Sequence, residues 1–172
     1  LTIRTTLDPA AQRAAERAVA TQLPPSAFSA ALVAVDPRSG GVRALVGGPG
    51  LDKLRFNLAT QGGRQAGSTF KVVTLAAALE AGHSPEDLVD GTAPCTLPLP
   101  RQEPWTVDNY EEGSGGVATL REATVKSLNC AFARTALAIG PGRRAAMAER
   151  RGGGRKLSSV PSTTPGTPEV SP

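Results

Sequence analysis

A chain of 172 residues with 40% hydrophobic and 20% charged content has the make-up of one soluble globular domain, which excludes wholesale disorder and a membrane bundle. With 19 Gly and 15 Pro but only one Trp, one Tyr and four Phe, it predicts many turns around a core of Ala, Val and Leu. The net charge of +4 comes from basic residues spread along the chain without interleaved aromatics, which argues against nucleic-acid binding.

Thr2 to Thr6 has the β-branched content of a strand. Asp8-Pro9 supplies an N-cap followed by Pro at the first helical position, and predicts a helix from Ala10 to about Gln22 that Pro24-Pro25 stops. Ala30 to Val35 and Val42 to Val46 are apolar runs joined by Asp36-Pro37-Arg38-Ser39-Gly40-Gly41, the pattern of a β-hairpin. Residues 51–67 are polar and Gly-containing, a loop with room for a short helix. From Ser68 to about Ala81, Val72, Leu75, Ala76 and Leu79 fall at helical spacing and Gly82 provides the stop. Residues 83–116 read as one long irregular excursion. Thr119-Leu120-Arg121-Glu122 is a capping-box pattern opening a helix to about Lys126. Cys130 to Ile139 and Arg143 to Arg150 complete the predicted helices. Residues 151–172 are rich in Gly, Pro, Ser and Thr, the composition of a poorly ordered tail.

No run of about 18 apolar residues is present. The chain opens at Leu1 without a charged leader, so export would require a signal or anchor outside these residues. Cys95, Cys130 and the lone His83 lack zinc-ligand spacing, so no metal or cofactor is expected. Cys95 and Cys130 pair in an oxidising compartment or stand as free thiols, and their spacing does not choose between the two. His83, next to Gly82, reads as a solvated residue past a helix end.

Two short patterns can carry chemistry. Ser68-Thr69-Phe70-Lys71 puts a hydroxyl and an amine one turn apart on one helix face, near enough for the amine to take the hydroxyl proton. A lysine does this only if burial or a neighbouring cation lowers its pKa. The plainer alternative is a capping serine followed by an exposed first-turn lysine. Ser127-Leu128-Asn129 lies where one predicted helix gives way to the next, and offers a hydroxyl to relay a proton and an amide to hold a substrate. Both side chains suit helix caps equally well.

S-x-x-K followed by S-x-N resembles the transpeptidase domain of penicillin-binding proteins, specifically the bifunctional class A type. Thr5-Thr6-Leu7-Asp8-Pro9 with Gln12, the hairpin from Ala31 to Gly48, Phe56-Asn57-Leu58-Ala59, Asn109-Tyr110, Ser127 to Ala131 and parts of the tail are also similar, so the resemblance spans nearly the whole chain. It implies an α+β, penicillin-binding and serine β-lactamase-like fold with an antiparallel sheet packed with helices. The third motif, K-T-G, is not found: none of Lys53, Lys71, Lys126 or Lys156 is followed by Ser or Thr and then Gly. The expectation is therefore the N-terminal part of a transpeptidase domain, incomplete at its C-terminus.

The resemblance implies D-Ala-D-Ala transpeptidation of peptidoglycan stem peptides outside the cytoplasmic membrane, with β-lactams as covalent ligands. Ser68 would be the nucleophile, Lys71 its base, Ser127 a proton relay and Asn129 a substrate-binding amide. The exported setting it implies also motivates a Cys95–Cys130 disulfide. Two rivals are a non-catalytic truncated fragment or pseudoenzyme, favoured by the missing third motif, and a serine β-lactamase. For the latter, Glu149 and Glu169, the only carboxylates after Asn129, have no pattern suited to deacylation.

Overall fold

The computed structural model describes residues 2–23, 28–50, 52–99, 103–111, 115–150 and 169–170. They divide into two compact units, Leu1–Arg64 with Val170–Pro172, and Gln65–Glu169.

The first unit packs helix α1 (Pro9–Gln22) on a hairpin of β1 (Leu32–Val35) and β2 (Val42–Val46). Asp8 accepts hydrogen bonds from the Ala10 and Ala11 amides (2.7 and 3.2 Å), satisfying two of the donors that a helix start leaves open. Ala15 of α1 is buried with Ala44 and Val46 of β2. Gln12 fastens the two elements: its Nε2 donates to Leu45 O (3.0 Å) and its Oε1 accepts from Leu45 N (2.8 Å), as a neighbouring strand residue would. The hairpin is antiparallel, with Leu32 opposite Val46.

Thr2 to Thr6 do not form the expected strand. Thr6 meets β2 through its side chain, Oγ1 donating to Val42 O (2.8 Å), and the next backbone bond, from Asp8 N to Arg43 O (2.9 Å), already belongs to the helix cap. A hydroxyl in place of an amide leaves no ladder to extend. The 51–67 segment holds turns and the two-residue strand β3 (Arg64–Gln65), but no helix among its described residues.

In the second unit a 3-10 turn (Gly67–Phe70) runs into α2 (Lys71–Glu80). The stretch expected to be irregular instead contributes β4 (Leu88–Asp90), β5 (Cys95–Leu97) and β6 (Trp105–Val107). Strand β5 pairs antiparallel with β6, and β4 with β7 (Val117–Thr119). Three-residue strands are too short to register as an alternating pattern, so only pairing makes them visible. Three helices follow: α3 (Leu120–Val125), α4 (Asn129–Ile139) and α5 (Pro141–Arg150). The predicted capping box is present, with Thr119 Oγ1 accepting from Glu122 N and Glu122 Oε2 accepting from Thr119 N.

Helix α4 is central. Cys130, Ala131, Phe132, Ala133, Thr135, Ala136 and Ile139 are all buried, and its many alanines let α2 and α5 approach closely. The resulting core joins Ala77 and Ala78 of α2 to Leu120, Ala123, Leu128, Phe132 and Met147. The face that α2 buries differs from its apolar spacing. Val72 and Leu79 are exposed, whereas Lys71, Thr74, Ala77 and Ala78 are buried.

Of the Gly-, Pro-, Ser- and Thr-rich tail, Glu169–Val170 form a short strand, β8, paired with β3; the rest lies outside the described residues. No helix among the described residues is long and apolar enough to cross a membrane.

Candidate active site

Two helix starts, those of α2 and α4, and one helix end, that of α3, converge in the second unit. Helices α2 and α3 terminate in the same hydrogen-bond motif. In α2, His83 N donates to Ala78 O (3.0 Å) and Gly82 N to Leu79 O (3.1 Å), with Gly82 at a φ of 95°. In α3, Leu128 N donates to Ala123 O (2.9 Å) and Ser127 N to Thr124 O (3.1 Å), with Ser127 at a φ of 53°. This is the Schellman arrangement, whose left-handed residue is normally glycine. Ser127 is the one non-glycine residue with positive φ among the described residues. Holding a side chain in that conformation costs about 1–2 kcal/mol, a local strain of the kind that gathers at functional sites.

The left-handed turn brings both oxygens of Ser127 to Lys71. The Lys71 Nζ lies 2.6 Å from Ser127 O, 2.9 Å from Ser127 Oγ, 2.6 Å from Asn129 Oδ1 and 3.2 Å from Ser68 Oγ. Ser68 is exposed in the 3-10 turn, after Gly67 at a φ of 55°. Lys71 opens α2 and is 5% exposed. Asn129, the first residue of α4, also donates through Nδ2 to Asp108 O (2.7 Å), which fixes its amide so that Oδ1 faces the lysine.

Burial pushes the Lys71 pKa down to about 8. The Phe132 ring, 5.8 Å away, adds a weak cation–π contact. Among the described residues no carboxylate forms an ion pair with Lys71 that would hold the proton on. An ammonium has three hydrogens for these four oxygens. A neutral amine donates to the two nearest, Ser127 O and Asn129 Oδ1, and turns its lone pair to a serine hydroxyl. The second state is the one a base requires.

All four residues singled out from the sequence, Ser68, Lys71, Ser127 and Asn129, therefore meet at one amine, although 56 to 58 positions separate Lys71 from the second motif. Cys95 and Cys130 form a disulfide, with Cα atoms 5.9 Å apart. His83 lies just past α2, its Nδ1 3.0 Å from Asp87 Oδ2. A cavity of about 570 Å³ borders Ser127 and is lined in part by Asn109, Tyr110, Glu111, Glu122 and Lys126. Sequence reasoning gave no role to Asp108 and Asn109, which hold Asn129 and Cys130. They sit in the segment expected to be irregular; Asn109 entered only through the Asn109-Tyr110 resemblance, and Asp108 carried no signal of its own.

The chain is similar to known proteins over most of its length. Residues 30–170 match the model of the penicillin binding protein transpeptidase domain. Penicillin-binding protein 1A of Mycobacterium tuberculosis is 40% identical over 149 residues, covering 83% of this chain and 16% of its own length. The same-named protein of Neisseria lactamica is 41% identical over 114 residues, 65% of this chain and 14% of its own. The chain thus spans about a sixth or less of these curated relatives. Among solved structures, PonA1 of M. tuberculosis in complex with penicillin V superposes with a TM-score of 0.84 at 31% identity, covering 99% of this chain and 48% of that one. Penicillin-binding protein A of M. tuberculosis, as its penicillin G acyl-enzyme, superposes at 0.73 with 27% identity, covering 98% and 48%. By the extent of the family match and by the fold that carries its two motifs, the chain belongs to the penicillin-binding protein transpeptidase family.

Proposed function

We propose that this chain carries the acylation site of a D-Ala-D-Ala transpeptidase that cross-links peptidoglycan stem peptides, outside the cytoplasmic membrane where those peptides lie. The observation that carries this reading is the convergence of Ser68 Oγ, Ser127 Oγ and Asn129 Oδ1 on the buried amine of Lys71. With a pKa of about 8, roughly a tenth of Lys71 is neutral at pH 7, enough for a base within hydrogen-bond reach of its serine.

Neutral Lys71 takes the Ser68 proton as Oγ attacks the penultimate D-Ala carbonyl. Collapse of the tetrahedral intermediate expels the terminal D-Ala, whose amine receives a proton through Ser127, 2.9 Å from the lysine. An ester on Ser68 remains, and the amine of a second stem peptide resolves it. Asn129 presents its amide to the substrate backbone. A β-lactam follows the same first step, but its ring-opened amine stays tethered and the ester persists. The penicillin complexes of the two solved relatives support this choice of ligand.

Labelling with a fluorescent penicillin tests the reading. A band that survives denaturation and is absent from Ser68→Ala is the expected result. No band from a folded sample would overturn it in favour of a non-catalytic domain. The K-T-G motif is not among the 172 residues, so the same labelling asks whether the first two motifs suffice for acylation. Rapid release of the label with turnover of free β-lactam would instead favour a β-lactamase.

A further inference from the structure

One end of the β5–β6 ribbon supplies three ties to the start of α4. Cys95 of β5 lies opposite Val107 of β6, and the chain leaves β6 through Asp108 and Asn109. From this end come the disulfide to Cys130, the Asp108 carbonyl that accepts from Asn129 Nδ2 (2.7 Å), and the Asn109 Oδ1 that accepts from the Cys130 amide (3.2 Å). Asn109 is itself held, its Nδ2 donating to Gly91 O (3.0 Å), and is 7% exposed. Leu128, the N-cap of α4, makes no side-chain capping bond, so Asn109 caps the helix from a distant part of the sequence. Cys95 and Cys130 are 2% and 0% exposed.

We propose that Asn109 and the Cys95–Cys130 disulfide are positioning residues for the acylation site: together they clamp the first turn of α4 so that Asn129 Oδ1 stays against Lys71 Nζ. This inference rests on the proposed acylation by Ser68. The clamp acts at second hand, since Asn109 and the disulfide both hold Cys130, the residue after Asn129. Loosening α4 moves Asn129 off the amine, admits water and relieves the desolvation that lowers the Lys71 pKa. Among the described residues, the groups facing that amine are Ser68 from the 3-10 turn, Ser127 after α3, and Asn129 and Phe132 from α4. None is acidic, so hydration is the lever.

The test compares the oxidised 172-residue chain with Asn109→Ala and with the double variant Cys95→Ala/Cys130→Ala. Acylation by fluorescent penicillin is followed against pH, and backbone hydrogen exchange is measured on the same samples. In each variant we expect the acylation rate to fall by one to two orders of magnitude, the size of effect a small misplacement produces. Its pH inflection should move upward from about 8, and exchange should quicken at 129–132 more than elsewhere in the unit. A wild-type rate and inflection in Asn109→Ala would overturn the proposal. So would a lower rate with an unmoved inflection and exchange that quickens uniformly, the mark of a merely structural role. If the double variant does not fold, Asn109→Ala, which keeps the disulfide, decides. If the parent chain takes no label, the functional reading fails on its own, and the clamp stands or falls on whether exchange quickens locally.

Discussion

At the level of single residues, Lys71 and Ser127 each break a rule of their local structure. A lysine at the start of a helix is ordinarily solvated, yet Lys71 is buried with its amine against three side chains and one carbonyl. Its pKa falls to about 8 because burial penalises the charged form, so the amine becomes a base as pH rises. The acylation rate should therefore climb about tenfold per pH unit below 8 and level off above it, a profile that stopped-flow labelling checks. Ser127 occupies the position that Gly82 fills at the end of α2. Ser127→Gly should exceed Ser127→Ala in stability by about 1 kcal/mol in urea unfolding, since only glycine escapes the left-handed penalty. Both should acylate slowly, because both lack the hydroxyl 2.9 Å from Lys71. Equal stability of the two would mean that the turn is unstrained.

Helix starts, by contrast, obey their capping signals closely at α1 and α3. The Asp8-Pro9 start of α1 and the capping box at Thr119 were both legible in the sequence, because caps are local chemistry between residues two or three apart. Thr119→Ala should cost about 1 kcal/mol of stability, measured by chemical denaturation, because it leaves the Glu122 amide without its acceptor. Helix α3 is only six residues long and Ser127 follows two residues after its end, so the same variant should also slow acylation. Face and strand assignments fared less well. The spacing of Val72 and Leu79 suggested a stripe that the structure leaves exposed, while Lys71 and Thr74 went inside. A pattern of apolar residues cannot register a buried face whose first turn is polar for the sake of chemistry. Strands β4 to β7, three residues each, escaped notice because a short strand exists only through its partner.

On the scale of the molecule, a core so rich in alanine offers little area per side chain, and the disulfide makes up part of the difference. Closing a loop across 35 positions is worth about 4 kcal/mol in the chain-entropy account. Unfolding in urea with and without a dithiol should show a loss of that order, and no loss would mean that the denatured chain is already constrained there. The sequence by itself determined the family, the order of the helices, the caps of α1 and α3 and the two motifs whose residues meet at Lys71, because these rest on contacts between near neighbours or on short patterns with fixed internal spacing. Whether Lys71 is an exposed first-turn lysine or a buried base, whether the cysteines are free or joined, and what holds Asn129 in place were decided only by tertiary structure. The reason is physical: burial and pairing depend on residues some 20 to 60 positions away, as Cys130 from Asn109 and Lys71 from Asn129, and no local pattern encodes which of them arrive.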